Sequence, residues 1–169
     1  MPLLTQRFRS LSFAGQDRPQ GGRRPSGTIS QMKDTLPRAV AVVIRHHQVL
    51  VVGRVREDLT YAVLPGGGVE TGETAEVAVA RELEEETGLS GRVGRVLWVR
   101  DDGGRRATYF LIEHPRGTPL LGGPERERSS PDNRYVLRWV DADDLPDLDL
   151  RPREIAPLVL DLLRSGRPG

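Results

Sequence analysis

The chain has 169 residues, enough for one domain with a substantial core, and its 37% apolar and 29% charged content is that of an ordinary globular protein. Cysteine is absent, which excludes disulfides and thiolate nucleophiles, and no apolar run is long enough to span a bilayer. The formal net charge of +1 conceals an asymmetry: residues 1–31 hold five arginines against one aspartate, so that stretch carries +4 and the remainder −3, which argues against a nucleic-acid surface on the folded part.

Residues 1–36 read as a dispensable or disordered N-terminal extension, because Pro19, Gly21, Gly22, Pro25, Ser26 and Gly27 interrupt any periodic apolar pattern. Two other readings compete: a basic arm touching an anionic partner, and an upstream extension of a chain whose native start is Met32. The arginines lack a continuous apolar segment and a small-residue cleavage site, so this is no signal peptide, and the cytoplasm is the default compartment. The expected domain is 37–165. Deleting residues 1–31 is expected to leave folding and activity unchanged, and a large loss of either would refute this.

Arg38 to Arg45 is a β-branched run suited to a buried strand, and Val49 to Val55 returns as a second. Between them His46-His47-Gln48 forms a turn; the histidine pair diverges and has no His or Cys partner nearby, so a solvated turn is the reading. Tyr61 to Leu64 is a short strand running into Pro65-Gly66-Gly67-Gly68. No Gly-Lys-Ser/Thr follows, which excludes a P-loop. The glycines let the backbone come close to a ligand, making Gly67 a candidate substrate contact.

A helix follows, started by Thr71 or Thr74 with an imperfect capping box and ended by Gly88 as a left-handed cap. At about 100° per residue, Glu82, Glu85 and Glu86 share one arc. Their mutual repulsion would destabilise the helix unless a cation offsets it, although a glutamate-rich helix by itself is more often a solvated face. Oxygen donors without Cys or His favour Mg²⁺ or Mn²⁺ over zinc. Arg81, four residues before Glu85, can hold that carboxylate, and Val77, Ala80 and Leu83 are expected to pack against a sheet.

Gly67, Glu73, Arg81, Glu82, Leu83, Glu85, Glu86, Gly88 and Leu89 fit G-x5-E-x7-R-E-U-x-E-E-x-G-U, with U a bulky aliphatic residue, at every fixed position. The stretch resembles the Nudix box, and Leu64-Pro65-Gly66 resembles its usual approach. The resemblance is specific across the box and extends at fold level from Leu36 to Leu163. It implies an α/β fold, the Nudix α/β/α sandwich with a mixed β-sheet between helices, and hydrolysis of a nucleoside diphosphate linked to another moiety. Glu82, Glu85 and Glu86 would then be metal ligands for Mg²⁺ or Mn²⁺, one doubling as proton acceptor, with the Gly66 carbonyl as a further ligand. Arg81 would orient the cluster, and Glu73 would serve loop–helix geometry or an outer contact. Arg54, at the end of the second strand, either faces the substrate phosphates, as basic residues there often do in the family, or is an ordinary edge arginine.

Downstream, Arg92 to Arg100 and Arg106 to Glu113 alternate as a strand pair joined by the turn Asp101-Asp102-Gly103-Gly104. Trp98, Tyr109 and Phe110 read as core or sheet-face residues before base-stacking groups. Gly117 to Asn133 is a long loop containing Glu125 and Glu127, and loops of that length are commonly functional. These two are the candidate general bases, with Glu113 third; the competing reading is weak surface pairing with neighbours such as Arg126. Tyr135 to Val140 is a strand, Asp141 to Leu145 a turn or short helix, and Arg153 to Leu163 an amphipathic helix with Pro157 in its first turn.

The subfamily stays open. Gly104 stands where the ADP-ribose group has a proline, and Tyr109 lies just past the tyrosine position of the dinucleoside polyphosphate group. Nucleoside triphosphates and nucleotide sugars are equally compatible. The alternative to an enzyme is a catalytically silent nucleotide sensor; the complete box, and an upstream segment too short for a helix-turn-helix, favour the enzyme. The expected partner is a nucleotide-type small molecule, with neither nucleic acid nor membrane. A homodimer, common in the family, is compatible, though no residue identifies an interface.

Overall fold

The computed structural model describes residues 36–56, 59–127, 129–130 and 133–166; the side chains of Arg56, Pro124 and Glu125 are not among the described parts. The N-terminal extension up to residue 35, Met32 included, lies outside them.

Eight strands form one mixed sheet. They are β1 (Arg38–Arg45), β2 (Gln48–Arg56), β3 (Leu59–Val63), β4 (Gly66–Gly68), β5 (Ser90–Asp102), β6 (Arg105–Arg116), β7 (Asn133–Val140) and β8 (Leu150–Arg151). The path runs β5-β6-β1-β2-β3-β8, with β4 paired to β1 and β7 to β2. β1–β6 and β3–β8 are parallel, and the other pairs antiparallel. The helices are α1 (Ala75–Thr87), the short α2 (Gly123–Glu127) and α3 (Ala156–Ser165). Among the described residues no helix is long and apolar enough to cross a membrane.

The β-branched run of β1 follows from burial on both faces, since successive strand side chains point to opposite sides. Val40 and Val42 join the core beneath α3 with Val49, Val51, Tyr109, Ile155 and Val159. Ala39, Ala41 and Val43 join the core beneath α1 with Leu50, Val79, Leu83, Phe110 and Ile112. The result is the expected α/β/α sandwich. Tyr109 and Phe110 are buried, as their core reading requires, and Trp98 meets the Tyr109 ring edge-on at 6.0 Å between centroids.

β1 and β2 are joined by His46 and His47, both at positive φ (49° and 62°), as a two-residue hairpin turn demands. They pair next to that turn, at Ile44 with Val49 and Arg45 with Gln48, and then part. β1 continues along β4 and β6, whereas β2 continues along β3 and β7. The divergence opens the sheet beside the glycine strand β4.

Several boundaries differ from expectation. β5 and β6 are longer, and Asp101 and Asp102 belong to β5, because Gly103 and Gly104 alone, at φ 62° and 86°, make the turn. The long loop contains α2. The short helical turn after β7 is a 3₁₀ turn at Leu145–Asp147, and another at Arg153–Ile155 leads into α3, with Pro157 in its first turn.

The buried face of α1 is a correction. Val77 is 56% exposed and Ala80 is also exposed, while Ala78, Val79, Leu83, Glu86 and Thr87 are buried. The core-facing arc is turned toward the Glu82–Glu86 edge, not away from it. β4 accommodates this: a Cβ at Gly67 would overlap the Glu82 carboxylate, so glycine there leaves that side chain its place on the packed side.

Candidate active site

Thr74 caps α1 by accepting a hydrogen bond from Val77 N–H at 3.3 Å, and Gly88, at φ 65°, closes it by donating to Glu84 O at 2.9 Å. The capped helix carries the box carboxylates past β4. Glu86 is one of only two buried polar residues among those described, and its Oε2 accepts from Gly66 N–H at 2.9 Å.

Arg81 is the organising cation. Its Nε and Nη2 donate to both oxygens of Glu73, at 2.9 and 3.0 Å, the paired geometry in which a guanidinium binds a carboxylate best. Its Nη1 reaches Glu82 at 2.7 Å and Glu85 at 3.3 Å, and its Nη2 also reaches Gly68 O at 3.2 Å. The sequence pointed to Glu85 as its partner; the structure makes Glu73 and Glu82 the shorter ones. Glu73 also accepts from Glu70 N–H at 3.0 Å, so it ties the loop to the helix. The Arg81 guanidinium holds the Glu73 carboxyl below the usual carboxylate range, and the same pairing raises Arg81.

In this arrangement, among the described residues, no three acidic or imidazole groups converge on one point. Arg81 draws Glu82 and Glu85 to itself, whereas Glu86 is held at Gly66. The donor set nonetheless suits a hard divalent cation: carboxylate oxygens only, with Glu82 lodged in a cradle that a Cβ at Gly67 would fill. Glu85, whose side chain is 50% exposed, is the ligand candidate with most freedom to move. The Gly66 carbonyl, the other candidate, accepts from Arg38 Nη2 at 3.0 Å.

Arg54 is not an edge residue. β2 lies between β3 and β7, and Arg54 is in register with Tyr61 and Tyr135. It donates to Tyr61 Oη at 2.9 Å and Asn133 Oδ1 at 3.0 Å, with its guanidinium 5.0 Å from the Tyr135 ring. It shares the parity of Leu50, and so faces the α1 side of the sheet, as the carboxylates do.

The general-base candidates fare differently. Leu120 N–H donates to Thr87 O and Gly122 N–H to Glu86 O, at 2.8 and 2.9 Å, filling carbonyls that a helix end leaves without internal partners. This clip sets α2, which holds Glu125 and Glu127, against α1. Glu127 is exposed there, and the Glu125 side chain lies outside the described residues. Glu113 is instead an ion-pair partner of Arg92, its cross-strand neighbour on the β5–β6 ribbon, and is not brought to the box.

Sequence reasoning missed a cleft of about 360 Å³ where the sheet opens, lined by Arg38, Asp102, Arg151, Pro152, Arg153 and Glu154 among others. These residues come from separate elements, so no local motif announces them. One signal was available: two arginines just before a helix N-terminus oppose the helix dipole and need compensation. Asp149 supplies it, accepting from Arg151 at 2.7 Å and Arg153 at 3.1 Å; the Arg151 contact holds its carboxyl below the ordinary value.

Comparison with known proteins identifies the family. The family model of the NUDIX domain matches residues 35–159. The ADP-ribose pyrophosphatase of Methanocaldococcus jannaschii is 32% identical over 75% of this chain and 79% of its own. A Mycobacterium tuberculosis protein, provisionally named 8-oxo-dGTP diphosphatase 2, is 40% identical over 66% of this chain and 77% of its own. The crystal structure of a MutT NUDIX hydrolase from Burkholderia pseudomallei superposes with a TM-score of 0.58 at 28% identity, covering 79% of this chain and 98% of that one. With the box complete and the sandwich formed around it, the chain belongs to the Nudix hydrolase family.

Proposed function

We propose that the protein is a divalent-metal-dependent pyrophosphohydrolase, cleaving a nucleoside diphosphate linked to another moiety by water attack on phosphorus. The observation that carries the reading is the Glu82–Glu86 edge of α1, set beside the glycine strand and only partly neutralised by Arg81. Two relatives whose names specify nucleotide pyrophosphate bonds support the substrate class. When bound, Mg²⁺ or Mn²⁺ supplies Lewis-acid stabilisation of the pyrophosphate and lowers the pKa of water.

The chain's own residues do the rest. Glu82, Glu85 and Glu86 would hold the cation, with the Gly66 carbonyl as an added oxygen donor. Gly66 N–H fixes the Glu86 carboxylate, so this ligand needs little reordering. Arg81 keeps its grip on Glu73 while releasing Glu85, the longest of its carboxylate contacts. Arg54 presents a guanidinium already oriented by Tyr61 and Asn133 toward the phosphates. Glu127 or Glu125, on α2, accepts the proton of the attacking water.

Glu85→Gln and Glu86→Gln test this, each keeping size while removing charge. Steady-state turnover on a cleaved nucleotide should drop by orders of magnitude, with circular dichroism unchanged. Near-normal turnover in both variants would remove the mechanism.

A further inference from the structure

We propose that Arg38 is a positioning residue that couples the cleft to the cation site: it caps the Gly66 carbonyl in the free protein and leaves it for an anionic ligand, a phosphate ester, in the cleft. The inference rests on the metal reading above. Gly66 is held from two sides, its N–H by Glu86 at 2.9 Å and its carbonyl by Arg38 at 3.0 Å. The same peptide thus touches a candidate cation ligand and a fixed positive charge. A guanidinium and a divalent cation on one carbonyl repel each other, and the Arg38 side chain is only 24% exposed, so water screens the repulsion incompletely.

The carbonyl has little freedom to turn away. Gly66 sits at φ 143°, and a Cβ there would overlap Ala39 O, so its conformation is set by the β1–β4 pairing. Arg38 is the partner able to move. Its second anchor, Asp102 at the hairpin tip, is 3.4 Å away, long for a charge-assisted hydrogen bond. The other two arginines of the cleft are bound more closely to Asp149, at 2.7 and 3.1 Å. Arg38 therefore has the longest ion-pair contact of the three guanidiniums lining the cleft, and it is the one an incoming phosphate draws away. Linkage then runs both ways: an anion in the cleft tightens cation binding, and the cation tightens the anion.

The test is a Mn²⁺ titration of the full chain followed by electron paramagnetic resonance of free Mn²⁺, with and without adenosine 5′-monophosphate, corrected for Mn²⁺ held by the nucleotide itself. Without nucleotide, Arg38→Gln should bind Mn²⁺ about fivefold or more tightly than wild type. Adenosine monophosphate should tighten Mn²⁺ binding to wild type but leave the variant unchanged. Arg38→Lys retains the charge without the fork and should also bind Mn²⁺ more tightly than wild type. Wild-type affinity in both variants, or the same nucleotide effect in all three proteins, would overturn the proposal. Glu82→Gln and Glu86→Gln, titrated alongside, separate the two readings. If they weaken Mn²⁺ binding while the Arg38 variants do not change it, only the Arg38 proposal fails; if they too leave it unchanged, the metal reading fails.

Discussion

Arg81 is four residues from Glu85 and one from Glu82 in sequence, yet its paired hydrogen bonds go to Glu73, in the loop before the helix. That contact makes Glu73 acid-sensitive. Its folded pKa lies below the ordinary 4.5, so its stabilising contribution is complete above about that pH and is lost as pH falls through the lowered value. Thermal melts of wild type should therefore lose stability below about pH 4.5, and Glu73→Gln should lose less over the same interval; parallel curves would show that the pair contributes nothing. A second residue-scale prediction concerns Gly67, where an added Cβ meets the flexible end of Glu82, not backbone. Gly67→Ala should cost little stability but displace that carboxylate, lowering turnover at least tenfold (about 1.4 kcal/mol in the barrier). Unchanged turnover would mean that the cradle does not position Glu82.

At the scale of elements, α1 and the loop after β6 act as one unit, because Leu120 and Gly122 close the helix's last carbonyls. A Cβ at Gly122 would overlap Glu85 O, a backbone atom unable to yield cheaply. Gly122→Ala should therefore open the clip, destabilise the protein by about 1–3 kcal/mol in urea unfolding, and hasten proteolysis near α2. Wild-type stability and proteolysis would show the clip to be incidental. The clip was not legible in the sequence, since it joins backbone groups more than thirty residues apart, and the need for glycine at 122 shows only once Glu85 O lies against it. The carboxylate arc was legible, because i, i+3 and i+4 spacing on a helix is fixed geometry. Which arc faced the core was not: Val77 and Ala80 are apolar yet exposed, and Glu86 is charged yet buried. The glycine strand makes this possible, by leaving room at Gly67 for the Glu82 carboxylate on the packed side.

Over the whole molecule, the sandwich was readable from strand runs alternating with amphipathic helices, and the box gave the family before any coordinates. The cleft was not readable, because it draws on the start of β1, the β5–β6 tip and the segment before α3. Its make-up adds Arg38 and its neighbours to the box as residues to test. On the function proposed above, the box holds a divalent cation that drives pyrophosphate hydrolysis. The most direct measurement is phosphate and pyrophosphate release from nucleoside triphosphates, ADP-ribose, nucleotide sugars, dinucleoside polyphosphates and coenzyme A, with Mg²⁺, with Mn²⁺ and with chelator. Turnover of at least one class with either cation, abolished by chelator and restored by added metal, is the predicted result. Turnover that persists undiminished in chelator, or nucleotide binding without turnover of any class, would contradict it.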